Sequence, residues 1–116
     1  MIYHITSQAD WEAGLMQASY RPASLAAQGF IHCSQLDQVA ATANRFYRGQ
    51  AGLLLLCIDD NRLNSEMRLE PGSDLPDELF PHIYGPLNPS AVTAIYRLNP
   101  GQDGSFILPE TIEPID

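Results

Sequence analysis

Residues 53–58 read Leu-Leu-Leu-Leu-Cys-Ile, six apolar side chains in a row. A membrane span needs about 20 such residues, so this run is far too short for one. It reads as a β-strand buried on both faces. Outward on the C-terminal side, Asp59-Asp60-Asn61 is a turn signal. On the N-terminal side, Leu36, Val39, Ala40, Ala43 and Phe46/Tyr47 recur at a helical period, with Gly49 as the stop. Ser34, with Asp37 three residues on, is the candidate N-cap of that helix.

The flanking regions complete an α+β pattern, with helices early and most strands late. Met1–Thr6 (MIYHIT) has strand composition. Ser7, with Asp10 three residues later, starts a helix whose Trp11 and Leu15 share the apolar face. Tyr20-Arg21-Pro22 ends that region, because proline cannot continue a helix. Ser24–Gln28 forms one short turn, and Gly29 opens a strand through Cys33. Glu66–Glu70 alternates like a strand. Residues 71–81 read as a polar loop, followed by a short extended piece at 82–85 and a strand over 91–98 (AVTAIYRL). The expected fold is a small, mixed or antiparallel sheet with two main helices. Residues 1–98 form the single domain, and 99–116 form a tail, docked or flexible, with Phe106-Ile107-Leu108 as the segment suited to docking.

Composition narrows the partners. The chain has 116 residues, 45% of them apolar, which is ordinary for one globular domain. Six basic residues, all arginine, face fourteen acidic ones, for a net charge of −8. Such a chain repels phosphate backbones, so DNA is not an expected partner and RNA ranks low. The start MIYHITSQ lacks a basic region followed by an apolar one, so no signal peptide is expected and a cytoplasmic location is. Cys33 and Cys57 lie in strand-like runs, where buried free thiols are the usual occupants.

The three histidines carry the functional reading. Each is followed two positions later by a hydroxyl: His4-Ile5-Thr6, His32-Cys33-Ser34 and His82-Ile83-Tyr84. Strand side chains alternate, so i and i+2 share a face. Each strand therefore turns its apolar residue one way and a His-hydroxyl pair the other. If the three strands neighbour one another, the pairs line one polar cleft suited to a small molecule. Solvent exposure or helix capping explains any one of these pairs without function. Three chemistries use histidines placed in this way. Zinc binding would use the imidazoles as ligands, but the chain has no close His pair and no Cys/His cluster, so no metal residue is assigned. A two-histidine phosphoesterase carries two His-apolar-Ser/Thr motifs, though 28 residues between them is a short spacing. Nucleotide or NAD recognition is the third.

The stretches Ile2–Thr6, Trp11, Tyr20-Arg21-Pro22 with Ser24-Leu25, Gly29–Ser34 (GFIHCS), Asn44-Arg45-Phe46 and Phe80–Leu87 (FPHIYGPL), in that order, closely resemble a bacterial and plant family known as domain of unknown function 952. The resemblance implies an ADP-ribosyltransferase-like fold and supplies no activity. It implies a nucleotide-like ligand, NAD foremost, as substrate or bound ligand, with His4 positioning a ribose. His32 or His82 would act as general acid or base. Glu70 is the nominee to stabilise an oxocarbenium-like centre, with Glu66 beside it. Thr6, Ser34 and Tyr84 would bind ligand, and Arg21 and Arg45 would meet anionic groups. Ile5 departs from the glycine usual after that first histidine. This departure supports the alternative of a non-enzymatic ligand-sensing or protein-interaction domain.

Overall fold

The computed structural model describes residues 1–72 and 74–108. In chain order it has β1 (Ile2–Ser7), α1 (Gln8–Met16), α2 (Ala23–Gln28), β2 (Ile31–His32), α3 (Val39–Phe46), β3 (Leu53–Ile58), β4 (Glu66–Pro71), β5 (Leu79–Tyr84) and β6 (Val92–Leu98). Short 3-10 turns lie at Leu36–Gln38, Asp60–Arg62 and Pro89–Ala91. The strands form two three-stranded sheets, β1-β3-β6 and β2-β5-β4. Every pairing is antiparallel.

The apolar run 53–58 is the middle strand of the first sheet, and all six of its residues are buried. Alternation explains why. Leu54, Leu56 and Ile58 enter a core with Ile2, Trp11, Tyr20, Ile31, Cys33 and Ile83. Leu53 and Leu55 face the other way, into a core with Ile5, Val39, Ala43, Leu98 and Phe106. Each fully buried leucine contributes about 1.5–3 kcal/mol of transfer free energy, so β3 anchors both layers. Phe106 is 2% exposed. It is held by Asn44, whose amide donates to the Phe106 carbonyl at 3.0 Å. The Phe106 N–H in turn donates to Asn44 Oδ1 at 2.6 Å. Residues 109–116 of the tail lie outside the described residues.

A backbone bridge from Tyr3 of β1 to Ser34, just past β2, joins the sheets, and a second, Tyr20 with Leu87, ties the segment after α1 to the segment after β5. The Tyr3 N–H donates to the Ser34 carbonyl at 2.9 Å, and the Ser34 N–H returns a bond to Tyr3 at 2.7 Å. The chain leaving β2 therefore runs alongside β1.

Several local features differ from the sequence reading. Ser7 does cap α1, accepting from the Asp10 N–H at 3.1 Å. The buried pair on α1, however, is Trp11 and Gly14, while Leu15 is 49% exposed. The reason is Tyr20, which packs over Gly14. A Cβ there would sit 3.0 Å from Tyr20 Cδ1. Ser34 does not cap the third helical segment. That segment begins as a 3-10 turn with a reciprocal Gln35–Gln38 capping box, because the Ser34 backbone is committed to Tyr3. Residues 79–81 are not loop but the start of β5, which carries Pro81 inside a central strand. The Pro81 carbonyl accepts from the Cys33 N–H at 3.0 Å. The missing proline N–H therefore faces the side where two-residue β2 has already ended, and it costs the β4 ladder nothing.

Candidate functional site

The junction of the two sheets opens into a cleft of about 800 Å³. His4, Thr6, His32, Ser34 and His82 all line it. His32 and His82 are directly opposite across the β2–β5 pair, with ring centroids 5.6 Å apart in an edge-to-face arrangement. His4 arrives from the other sheet through the Tyr3–Ser34 bridge.

The floor is a buried hydrogen-bonded chain. His4 Nδ1 lies 2.6 Å from the His32 carbonyl oxygen. A carbonyl only accepts, so Nδ1 carries the proton. His4 Nε2 lies 2.7 Å from Tyr20 Oη, and Tyr20 Oη lies 2.8 Å from Thr6 Oγ1. The tyrosine has one proton to give. With His4 neutral, the Tyr20 O–H donates to Nε2, which accepts, and the Thr6 hydroxyl donates to Tyr20. With His4 protonated, the chain reverses, and Tyr20 donates to Thr6. Burial strongly favours the neutral ring and pushes the His4 pKa down to about 4, against a smaller opposing effect of the His32 carbonyl. Burial also raises the Tyr20 pKa. At neutral pH the floor is thus an uncharged array of dipoles.

The wall is built differently. His82 is 6% exposed, and its ring stacks on Phe30 at 4.1 Å and 22°. Its Nδ1 bonds Glu70 Oε1 at 2.9 Å. The same oxygen accepts from the Tyr84 hydroxyl. Those two hydrogen bonds, Tyr84 first and His82 second, hold the Glu70 carboxyl below the usual range. Arg68 lies over the Tyr84 ring, 4.6 Å from its centroid, and pairs with Glu66 at 2.8 Å. His32 is exposed and bonds the Gln28 side chain through Nε2. Partial desolvation of its ring within the cleft, and then the neighbouring His82, lower its pKa.

Not every nominated residue reaches the cleft. Glu70 and Tyr84 stand behind His82 and do not line it. Arg21 is exposed and bonds Ser19 Oγ at 3.2 Å. Arg45 does line the cleft, but it is paired with Asp74 at 3.2 Å. Ser34 Oγ lies 3.3 Å from Thr42 Oγ1. Tyr20, Gln28 and Thr42 are the important omissions from the sequence reading, and Asp10, Asp37, Asp74 and Glu78 add carboxylates to the lining. Tyr20 belongs to the Tyr20-Arg21-Pro22 stretch that carried the family resemblance, which was the available signal. Among the described residues no group of three or more His, Cys, Asp or Glu is placed to hold a metal ion. Both cysteines are free and buried, and burial holds their thiols protonated, raising Cys57 to about 11. No described helix is long and apolar enough to cross a membrane.

Comparison with known proteins points to one family. The model described as "Protein of unknown function (DUF952)" matches residues 5–95. The crystal structure of protein CC0527 from Caulobacter crescentus is 37% identical with a TM-score of 0.82, the match covering 92% of this chain and 93% of that one. The solution NMR structure of CC0527 is also 37% identical, with a TM-score of 0.77 and coverage of 90% and 89%. Both are structural-genomics targets. No curated protein matches the sequence.

Proposed function

Because the chain belongs to the DUF952 family of proteins of unknown function, whose description names no activity, we propose its function from the cleft: it binds a ribosylated aromatic ring, with NAD as the leading candidate. The observation that carries this reading is the buried His4–Tyr20–Thr6 chain at the floor. Convergent, uncharged donors and acceptors on rigid strands suit the hydroxyls of a sugar. A volume of about 800 Å³ lies within the usual range for small-molecule sites.

Charge sharpens the choice. The lining holds four carboxylates, Asp10, Asp37, Asp74 and Glu78, and one arginine, Arg45, which Asp74 already engages. A buried pyrophosphate is poorly served by that set, so the nicotinamide-ribose half of NAD is the part the cleft would hold, with its pyrophosphate left in solvent. A cationic ring is well served, and the oxidised nicotinamide ring is a cation. Phe46, Tyr47 and Phe80 supply aromatic surface in the same cleft. The ADP-ribosyltransferase-like architecture belongs to this proposal too. A histidine on the first strand and two small antiparallel sheets meeting at a cleft support it.

The test is thermal unfolding of the purified protein with NAD, nicotinamide riboside or ADP-ribose. A ligand held only by the folded state at a hundredfold excess over Kd adds about 2.7 kcal/mol. NAD and nicotinamide riboside are expected to raise the melting temperature, ADP-ribose less so, and Tyr20→Phe to abolish the shift. Unchanged melting with all three overturns the proposal.

A further inference from the structure

The cleft wall holds a second arrangement that ligand binding alone does not explain. His82 reaches the cleft, yet its Nδ1 is turned away onto Glu70 at 2.9 Å. A carboxylate oxygen accepts and cannot donate, so Nδ1 carries the proton and Nε2 of the neutral ring is left as an acceptor. Glu70 is itself held by the Tyr84 hydroxyl on the same oxygen, and Phe30 stacks on the imidazole face at 4.1 Å. Carboxylate, hydroxyl and aromatic ring together fix both the tautomer and the orientation of His82. An imidazole oriented by a carboxylate that does not touch the ligand is the arrangement of a general base.

We propose that His82 is a proton-accepting catalytic residue of this cleft, that Glu70 and Tyr84 are its positioning residues, and that the group it deprotonates is a hydroxyl, of water or of an alcohol. This rests on the ribosyl-ring reading above and goes beyond it from binding to turnover. The oxygen of the hydroxyl bonds to the sugar carbon as the carbon–nitrogen bond breaks. The bonding pair leaves with the ring nitrogen and neutralises its positive charge, and the hydroxyl proton moves to His82 Nε2. No oxidant, reductant or metal is needed for the balance. Glu70 thereby takes a role different from stabilising the oxocarbenium-like centre, because it stands behind the imidazole.

Two measurements test this. In ligand-free protein with ¹⁵N-labelled histidine, His82 is expected to show a protonated Nδ1 and an unprotonated Nε2, and Glu70→Gln to convert it to a mixture of tautomers. A wild-type His82 protonated on Nε2 overturns the proposal whatever the ligand. Next, release of the free ring base from nicotinamide riboside is followed with water or added methanol as acceptor. His82→Asn should lower kcat by roughly 100-fold or more with KM nearly unchanged, and Glu70→Gln should lower kcat by a smaller factor in the same pattern. Riboside binding without turnover, or turnover that survives His82→Asn, overturns the general base and leaves the binding reading standing. Absence of riboside binding removes the binding reading itself.

Discussion

The floor and the wall of the cleft are made from the same residue types and behave as opposites. On the floor, His4 meets Tyr20 and Thr6, neutral groups buried between the sheets. On the wall, His82 meets Glu70 and Tyr84, with a carboxylate in the middle. Burial without a counter-charge keeps His4 neutral, pushing its pKa down to about 4. It is suited to positioning a ligand and not to taking its proton. His82 instead has a carboxylate hydrogen-bonded to Nδ1, which leaves Nε2 free to accept. The type of side chain does not decide the role of each histidine; the group hydrogen-bonded to its ring does.

The sheets behind these two regions differ in the same sense, and the largest expected effects come from that difference. Leu56 in β3 is fully buried, so Leu56→Ala should cost about 2–5 kcal/mol in urea unfolding. Leu69 in β4 is 53% exposed, and Leu69→Ala should cost less than about 0.5 kcal/mol. Equal losses would break the claim that β3 anchors both layers.

The second effect is a pH dependence from the floor. The unfolded His4 takes up a proton near its ordinary value of 6.5, whereas the folded one resists until about 4. Between these values the unfolded state binds more protons, so stability falls as pH falls through the window from 6.5 to 4. The contribution is on the order of 3 kcal/mol, and it is absent above 6.5, where both states are neutral. His4→Asn should flatten the acid limb of an unfolding free-energy curve, and an unchanged limb would assign the slope to other groups.

Tyr20→Phe comes next. It leaves His4 Nε2 and Thr6 Oγ1 without their shared partner, at a cost of about 1–3 kcal/mol by calorimetry. Tyr84→Phe on the half-buried wall should cost less than Tyr20→Phe, because solvent can replace the lost partner. A larger loss for Tyr84 than for Tyr20 would reverse the ranking of floor and wall. The smallest effect belongs to the rim, where Arg45 and Asp74 are 41% and 54% exposed. Arg45→Gln should shift the melting midpoint by less than about 0.5 kcal/mol of stability, an effect that added salt removes.

Much of this fold can be read without coordinates. Six apolar residues in a row at 53–58 force a strand covered on both sides, because no single face can hide them. Ser7 and Asp10 set the start of α1 through one local hydrogen bond. The two-residue period places each histidine on one face with its hydroxyl partner, since alternation is a property of extended backbone alone. The exposed side of Leu15 was not legible, because the face α1 buries depends on Tyr20, which lies beyond the end of that helix. The first three residues of β5 are not legible in the sequence, because Pro81 is tolerable there only on the side where β2 ends, which is a fact about a neighbouring strand.

The sequence by itself therefore determined most of the elements, the family resemblance and which side chains of a strand share a face, the strand faces following from neighbours two positions away. Only the tertiary structure decided which histidines meet. His4 finds the His32 carbonyl across 28 positions, and His82 finds Glu70 across 12. It also decided that one imidazole is surrounded by neutral groups and the other backed by a carboxylate. Those partners come from strand order and burial, which arise when the two sheets pack and are not written in any local period.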